Sequence, residues 1–293
     1  MDENDRKLAT RFYGNLKFAS DVLENKRVTF IHVSLLNDPF DPYCFFETDF
    51  GDSYLNFLKY MKSHHSRELP LFRGHVTPQS WNRTTRDLTN ALRRIREIAF
   101  VLSMTRERGG RHPKDNLYMW GHYANGHRGV AIEFDMDALR RSVFAQHAAV
   151  NQAPSSETEV WAEMHYRSKF SPLSAEQIYQ FLKQEIDAER GRIAVKVTTD
   201  LERHYSHVTT MKSDVWQNEN EWRLMWRNDE TDEKIYQCPI SGDSIVNIFF
   251  GMCIQPDERQ QFVHSAKASF PKASLYAAKK RYGDLALDFA PIS

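Results

Sequence analysis

Short apolar segments with strand character alternate with amphipathic helical patterns along the whole chain, and this alternation constrains the fold more than any other feature. Ile245–Phe250 is a continuous apolar run closed by Gly251, which is typical of a central strand. Trp222, Leu224 and Trp226 recur at every second position, as in a half-buried strand. The helices and strands do not follow a regular βαβα repeat. We therefore predict an α+β fold with a single mixed or mostly antiparallel sheet flanked by helices.

The other elements are predicted from the same periodicities and from capping residues. Helical patterns cover 16–25, 54–61, 84–100, 136–149, 173–193 and 256–268. Strand patterns cover 28–34, 129–134, 160–166, 274–278 and 285–289, and the segment from Phe100 is interpreted as a strand that opens into a flexible charged loop. We expect one domain over residues 1–293, with a polar connector near 151–158.

The charge balance limits the classes of partner. The 293 residues include 39 Lys and Arg and 39 Asp and Glu, so the formal net charge is zero. The chain therefore has no global positive field to attract nucleic acid or an anionic membrane, although a local basic patch remains open. The three cysteines are odd in number and far apart, which argues against a disulfide framework or a zinc ribbon. An acidic N-terminus and the lack of a long apolar run predict a cytoplasmic protein without a membrane segment.

Three segments concentrate side chains that could form a site. The first is the turn after the strand predicted over 28–34, and it contains Asn37 and Asp38. These polar groups could line a pocket. The alternative is turn chemistry alone, because Asn and Asp side chains bond their own backbone.

The second segment, 118–129, precedes a predicted strand and contains Trp120, His122 and Tyr123. Aromatic faces there could stack on a planar ring, and a histidine could donate a hydrogen bond or a proton. The alternative is that the aromatic residues only pack together. His122 and His127 are five residues apart, which does not align two metal ligands on a helix, so no metal site is expected.

The third segment, 212–224, places Glu219 and Glu221 at the entry of a predicted strand. Side chains two positions apart in a strand point to the same side, and two neighbouring carboxylates raise the pKa of one of them. Arg223 is expected to face the other way unless the strand bulges. The alternative is a pair of solvated charges at a strand edge.

A further stretch lies upstream, at 103–111. Gly109 and Gly110, followed by Arg111, could approach a phosphate, but the closing Gly-Lys-Ser/Thr of a P-loop is missing. The alternative is an ordinary mobile loop.

In their order along the chain, these segments resemble a bacterial family of proteins, the domain-of-unknown-function family 2971. The resemblance runs from about Tyr13 to Val263. The motifs that carry it lie at 37–41, 119–123, 129–135, 219–224 and 248–251. It implies a family and no activity.

A weaker resemblance, to ADP-ribosyltransferases of toxin and phage-defence type, implies an activity and an ADP-ribosyltransferase-like fold. Residues 219–221 are similar to the Glu-x-Glu element at the start of a late strand in those enzymes. Residues 103–105 partly match their mid-chain element. The first strand departs from the pattern of those enzymes, because no clean His or Arg stands at its start. Arg11, Tyr13 and His32 are the candidates for that residue.

This second resemblance implies NAD as the substrate and no metal. In such a scheme Glu221 holds the ribose and stabilises positive charge in the transition state, while Glu219 orients or deprotonates the acceptor. His122 and Tyr123 complete the implied catalytic set. The residues implied to bind the nucleotide are Tyr13, Asn37, Asp38, Ser103, Thr105, Trp120 and Arg223.

The NAD-cleaving enzyme would be a toxin or phage-defence effector, with a small-molecule nucleotide as ligand, a protein or nucleic acid as acceptor and no membrane partner. Two other classes of function stay open. A non-catalytic binding or sensor module predicts that Glu221 pairs with a neighbouring base such as Arg223. A metal-dependent nuclease predicts carboxylates clustered around a metal beside a basic face, namely Asp38, Asp41, Glu133 and Glu221.

Overall fold

The computed structural model describes residues 7–38, 40–41, 53–83, 86, 90, 97–151, 160–168, 174–190, 210–227 and 232–292. The chain forms two compact units. The first, the sheet unit, consists of Met1–Leu35, Phe100–Met164 and Val215–Ser293, and the second, the helical unit, of Leu36–Ala99 and His165–Asp214. The single domain predicted over 1–293 stays a prediction. The connector predicted near 151–158 lies outside the described residues except for Asn151, which ends a helix.

Strands and helices follow one another irregularly along the chain. The bounds in chain order are β1 (Leu8–Tyr13), α1 (Leu16–Asn25), β2 (Arg27–His32), α2 (Tyr54–His64), α3 (Leu69–His75), β3 (Ala99–Thr105), α4 (Leu117–His122), β4 (Val130–Asp135), α5 (Met136–Asn151), β5 (Val160–Glu163), β6 (His165–Arg167), α6 (Ala175–Glu189), β7 (Met211–Ser213), β8 (Glu221–Arg227), β9 (Ile235–Pro239), β10 (Ile245–Phe250), α7 (Pro256–Ser269), β11 (Ser274–Lys280) and β12 (Leu287–Pro291). Short 3-10 helices lie at Val33–Leu35, Pro113–Asp115 and Asp214–Glu219.

The sheet unit is built on a ten-stranded sheet. Its main path runs β12-β11-β10-β4-β1-β3-β2-β9, and β8 joins it by pairing with β3 and with β5. β10 and β11 are parallel, and the other strand pairs of this sheet with a described register are antiparallel. The helical unit contains a parallel pair of short strands, β6 and β7. The prediction of an α+β fold with a mixed, mostly antiparallel sheet is confirmed.

Strand β4 is buried on both faces, which explains its apolar sequence. Val130, Ile132 and Phe134 enter the larger core of the sheet unit, where all three are fully buried. Ala131 points to the opposite face and packs in a second core with Phe249. A strand that is covered on both sides has a nearly continuous apolar sequence, rather than apolar and polar residues in alternation.

Helix α1 covers the residues that its sequence pattern predicts. The Asn15 side chain caps its N-terminus by accepting a hydrogen bond from the backbone N–H of Lys17 at 3.0 Å. Its buried face consists of Ala19, Val22 and Leu23, at the spacing of an amphipathic helix.

Two strands carry a weak sequence signal and were not predicted. β1 has Arg11 near its centre, and the guanidinium Nη1 donates to the carbonyl of Thr29 at 3.0 Å. β9 lies at an edge of the sheet, where Ile235 is 52% exposed. Strand prediction depends on alternating apolar and polar residues. A charged residue interrupts this alternation in β1, and exposed apolar residues interrupt it in β9.

Two other predicted elements differ in the structure. The helix predicted over 84–100 lies largely outside the described residues, and its predicted end is wrong, because Ala99 and Phe100 begin β3. The strand predicted over 160–166 divides at Met164 into β5 and β6, which belong to different units.

The helical unit has an aromatic core and a polar network. Phe57 stacks on Trp81 with ring centroids 4.8 Å apart. The Tyr60 hydroxyl donates to the Glu176 carboxylate, which also lies 2.8 Å from Nε2 of His65. No helix in the described part of the chain has both the length and the apolar character needed to cross a membrane.

The network gives a prediction for the pH dependence of stability. Hydrogen bonds from Tyr60 and then Gln180 lower the pKa of Glu176 from 4.5 to about 2, against the opposing effect of burial. The Glu176 carboxylate therefore stabilises the folded chain above about pH 4.5, and this contribution is lost as the pH falls toward about 2. Glu176→Gln should lower the free energy of unfolding at neutral pH by less than about 1 kcal/mol, since the side chain is 46% exposed.

Urea unfolding at neutral pH and near pH 2 measures this difference. The exposed Glu258→Gln is the matched control and should have no effect at either pH. A destabilisation by Glu176→Gln of equal size at both pH values would contradict the assignment.

Candidate functional site

A row of polar side chains crosses the sheet unit from strand to strand. In the register of the sheet, Asn247 pairs with Glu133, Glu133 pairs with Thr10, and Thr10 pairs with Thr105. Thr10, Glu133 and Thr105 are each 2% exposed or less. Buried polar groups need hydrogen-bond partners, so such a row in the interior of a sheet is a specific feature and not a solvated surface.

Glu133 is the centre of this row. Its carboxylate lies 2.8 Å from Nε2 of His112, accepts a hydrogen bond from Nδ2 of Asn247 at 2.5 Å and one from the Thr10 hydroxyl at 3.4 Å. Burial alone would raise the pKa of Glu133, but His112, Asn247 and the nearby Lys114 outweigh burial and lower it. The carboxylate is therefore ionised at neutral pH although it is 1% exposed.

His112 connects the polar row to the 3-10 helix that follows it in the chain. Its Nδ1 accepts a hydrogen bond from the backbone N–H of Lys114 at 3.2 Å and so caps the 3-10 helix Pro113–Asp115. An accepting Nδ1 leaves the ring proton on Nε2, which faces Glu133. The carbonyl of Lys114 in turn accepts a hydrogen bond from Nε1 of Trp120 at 2.7 Å.

Glu221 and Arg223 form a buried ion pair on β8. Nε of Arg223 donates to Oε1 of Glu221 at 2.6 Å, and Nη2 donates to Oε2 at 3.1 Å. Glu221 is 4% exposed and Arg223 is fully buried. The prediction that Arg223 faces away from Glu221 is wrong, because residues two apart in a strand lie on the same side.

This ion pair lies on the same face of the sheet as Ser103 and Thr105. Leu224 on β8 and Leu102 on β3 both enter the larger core, so the alternate residues of both strands face the other way. The Ser103 hydroxyl is buried and has no hydrogen-bond partner among the described residues.

Glu219 is held by a different element. It ends the 3-10 helix Asp214–Glu219, and Asn220 after it has a left-handed φ of 46°. The strand alternation predicted for Glu219 and Glu221 therefore does not apply, because only Glu221 is in the strand. Glu219 is 4% exposed, and its Oε1 accepts a hydrogen bond from the hydroxyl of Tyr123.

Asn116 ties helix α4 to this acidic segment. Its Oδ1 accepts hydrogen bonds from the backbone N–H groups of Tyr118 and Met119 and so caps the helix. Its Nδ2 donates to the carbonyl of Asn218 at 2.6 Å. The segments 116–123 and 218–221 are thus joined by two side-chain contacts, one from Asn116 and one from Tyr123.

Two residues predicted for the aromatic segment are placed differently from Tyr123. Trp120 is fully buried and packs edge-on against Phe12, with ring centroids 5.2 Å apart, so its indole faces are inside the core. His122 is exposed at the end of α4, with its ring 4.3 Å from that of Tyr118.

The remaining predicted residues belong to the larger core of the sheet unit and to the helical unit. Tyr13 enters the larger core, where burial raises the pKa of its hydroxyl, which has no hydrogen-bond partner within the residues that the structure describes. Asn37 and Asp38 belong to the helical unit. There the Asp38 carboxylate accepts a hydrogen bond from the backbone N–H of Phe40 at 2.9 Å, and Asp41 pairs with Lys212 at 3.6 Å.

Sequence reasoning missed Thr10 and Asn247, which become site residues through strand pairing, and His112, which does so through its contact with Glu133. The sequence did contain one signal for this site, the carboxylate of Glu133 inside the apolar segment 130–134. Charged residues are rarely buried without a partner, so this residue indicates a buried polar contact. Among the described residues, no group of three or more His, Cys, Asp or Glu side chains is placed to hold a metal ion.

Comparison with known proteins gives a match for part of the chain. Residues 119–224 match a family model described as a protein of unknown function, DUF2971. We call these residues the DUF2971 region. This region begins in α4 and ends in β8, so it contains Tyr123, Glu133, Glu219, Glu221 and Arg223. No curated protein and no solved structure matches the chain.

The DUF2971 region gives a prediction about its buried ion pair. Arg223→Ala should lower the free energy of unfolding by about 3–5 kcal/mol, because it leaves the Glu221 carboxylate buried without this cation. Arg141→Ala removes an arginine that is 68% exposed and 3.7 Å from Asp243, and it should cost less than about 1 kcal/mol.

Chemical denaturation of the two variants makes the comparison. Adding Glu221→Gln to Arg223→Ala should recover part of the loss, since a neutral amide costs less to bury than a carboxylate. Equal, small effects of Arg223→Ala and Arg141→Ala would show that the pair is not a buried one in solution.

Proposed function

We propose that the sheet unit is an NAD-cleaving enzyme of ADP-ribosyltransferase type, with 219–221 as its acidic element. The contact between the Tyr123 hydroxyl and the Glu219 carboxylate carries this proposal, because it joins the aromatic segment to the acidic element across 96 residues of sequence. The ADP-ribosyltransferase-like form of the α+β fold and a cytoplasmic toxin or phage-defence role belong to the same proposal.

The chemistry assigns different tasks to the two carboxylates. The bond between the nicotinamide nitrogen and the ribose breaks, and nicotinamide leaves with the bonding electron pair. Glu221, oriented through both oxygens by Arg223, stabilises the positive charge that develops on the sugar. The oxygen of water or of an acceptor forms the new bond to the sugar, and its proton passes to Glu219.

The Ser103 side chain supports binding of the nucleotide on the face of the sheet that carries Glu221 and Arg223. Its buried hydroxyl lacks a partner in the described part of the chain, and an unsatisfied buried hydroxyl costs about 1–3 kcal/mol. A ribose or amide group bound on this face of the sheet would satisfy it. Because Glu219 and Glu221 are each 4% exposed, the ligand must displace neighbouring groups, and the Tyr123 hydroxyl on Glu219 is one of them.

A second candidate, the non-catalytic binding or sensor module, is favoured by one observation. The bidentate bond from Arg223 already compensates the charge of Glu221. The metal-dependent nuclease draws no support from the described carboxylates, because no group of three or more described His, Cys, Asp or Glu side chains is placed to hold a metal ion.

Release of nicotinamide from NAD tests the proposal directly. Wild-type protein should release nicotinamide, measured by chromatography, and Glu221→Gln should lower the turnover about 100-fold or more, since it removes the charge next to the sugar. Glu219→Gln should slow transfer by a comparable factor. Glu258→Gln, at an exposed glutamate on α7, should leave turnover unchanged.

Calorimetric titration with NAD separates the two candidates. Binding of NAD without nicotinamide release would favour the binding module. A folded wild-type protein that neither binds nor cleaves NAD would exclude an NAD function for this site.

A further inference from the structure

The loop after β3 is a closed hairpin, whereas the sequence was interpreted as a flexible loop. The backbone N–H of Arg108 donates to the carbonyl of Arg111 at 3.3 Å, and the N–H of Arg111 donates to the carbonyl of Arg108 at 3.2 Å. Gly109 and Gly110 between them have φ values of 60° and 73°. Two positive φ values are the requirement of the tight two-residue turn that matches the twist of a hairpin.

Three arginines lie on or directly before this hairpin. Arg106 directly follows Thr105, the last residue of β3, and Arg108 and Arg111 are directly opposite each other across the turn. Side chains directly opposite each other in an antiparallel pair share a face, so Arg108 and Arg111 point to the same side. The segment 106–111 carries these three positive charges and one negative charge, that of Glu107.

The hairpin contacts the acidic element and the strand after it through Arg106 and Arg108. The guanidinium of Arg106 lies 4.4 Å from the centroid of the Trp222 ring, and its backbone N–H donates to the carbonyl of Asn220 at 3.1 Å. Nη1 of Arg108 contacts Oδ1 of Asn220 at 3.4 Å. The hairpin is thus fixed against the residues that directly follow Glu219.

These three charges have no counter-charge in the described part of the chain. None of Arg106, Arg108 and Arg111 forms an ion pair with a described carboxylate, whereas Arg223 and Arg281 do. Arg108 and Arg111 are exposed. Guanidinium groups bind phosphate oxygens with two parallel hydrogen bonds, so an unpaired group of three suits a ligand with several phosphates.

An aromatic pair lies on helix α4, which contacts the same segment. This helix is joined to 218–219 by Asn116 and by Tyr123. On it the rings of Tyr118 and His122 are 4.3 Å apart, and His122 is exposed. The acidic segment therefore contacts the hairpin through Asn220 and helix α4 through Asn218 and Glu219.

We propose that this surface binds single-stranded nucleic acid. The phosphodiester backbone lies on Arg106, Arg108 and Arg111, and a base stacks on His122 after the strand crosses 218–220. Cationic groups that follow the backbone, combined with aromatic rings for the bases, are the usual means of binding single strands. A net charge of zero confines the attraction to this patch. The proposal does not depend on NAD cleavage, because it concerns binding alone.

Fluorescence anisotropy with labelled oligothymidylate tests the proposal. The double variant Arg108→Ala/Arg111→Ala should bind about 10-fold more weakly or worse, and its affinity should depend less steeply on salt, by about 0.7 in the log–log slope for each lost phosphate contact. The control Arg140→Ala/Arg141→Ala removes the same charge from α5 and should bind as wild type. His122→Ala should bind about 10-fold more weakly.

Thermal melting establishes that each variant is folded before binding is compared. No binding by wild type at low salt would overturn the proposal, as would an equal loss in the two double variants. Tighter binding of a duplex than of the single strand would contradict the single-strand assignment. Complete displacement of the oligomer by an equal concentration of inorganic pyrophosphate would identify a site for small phosphates instead.

Discussion

The hydrogen bond between Nε2 of His112 and the Glu133 carboxylate is the interaction on which the candidate site depends. His112 spans from the interior of the sheet to the backbone of Lys114, at 2.8 and 3.2 Å, and so fixes the 3-10 helix Pro113–Asp115 on the sheet. Asn116, the next residue along, caps α4 and contacts Asn218. A chain of contacts therefore runs from one carboxylate in the sheet to helix α4 and to the segment that contains the acidic element.

The same carboxylate constrains the register of the sheet. Glu133 on β4 lies opposite Thr10 on one side and Asn247 on the other. A shift of one residue would turn it toward the larger core, where Ile132 and Phe134 are fully buried. Burying a charge is costly unless it is paired, so the alternative registers of β1, β4 and β10 are strongly disfavoured. The polar row thus fixes the sheet as well as the site.

Local patterns predicted much of the fold. Helix α1 and strand β10 have the bounds that periodicity indicates, because each buries one regular set of apolar residues. β1 and β9 could not be predicted in this way, since one contains Arg11 and the other lies at an edge. Their strand form depends on neighbours that are distant in the sequence.

The candidate site was predictable in its residue types and not in its contacts. The segments with Tyr123, Glu219 and Glu221 were singled out from their chemistry, and the structure joins the first two. Trp120 has the same appearance in sequence, yet it is a core residue, because burial depends on the packing of Phe12 against it. His112 gave no signal, since its role exists only once β4 is in place.

The central claim is that His112 transmits order from the sheet to the acidic element, and amide hydrogen exchange tests it most directly. In His112→Ala, the amides of Trp120 and Tyr123 on α4 should exchange about 10-fold faster or more, because local opening becomes easier, while the amides of β11 and β12 keep their wild-type rates. The exposed His264→Ala should change neither set. Unchanged exchange in α4, or a uniform acceleration that includes β11 and β12, would contradict the claim.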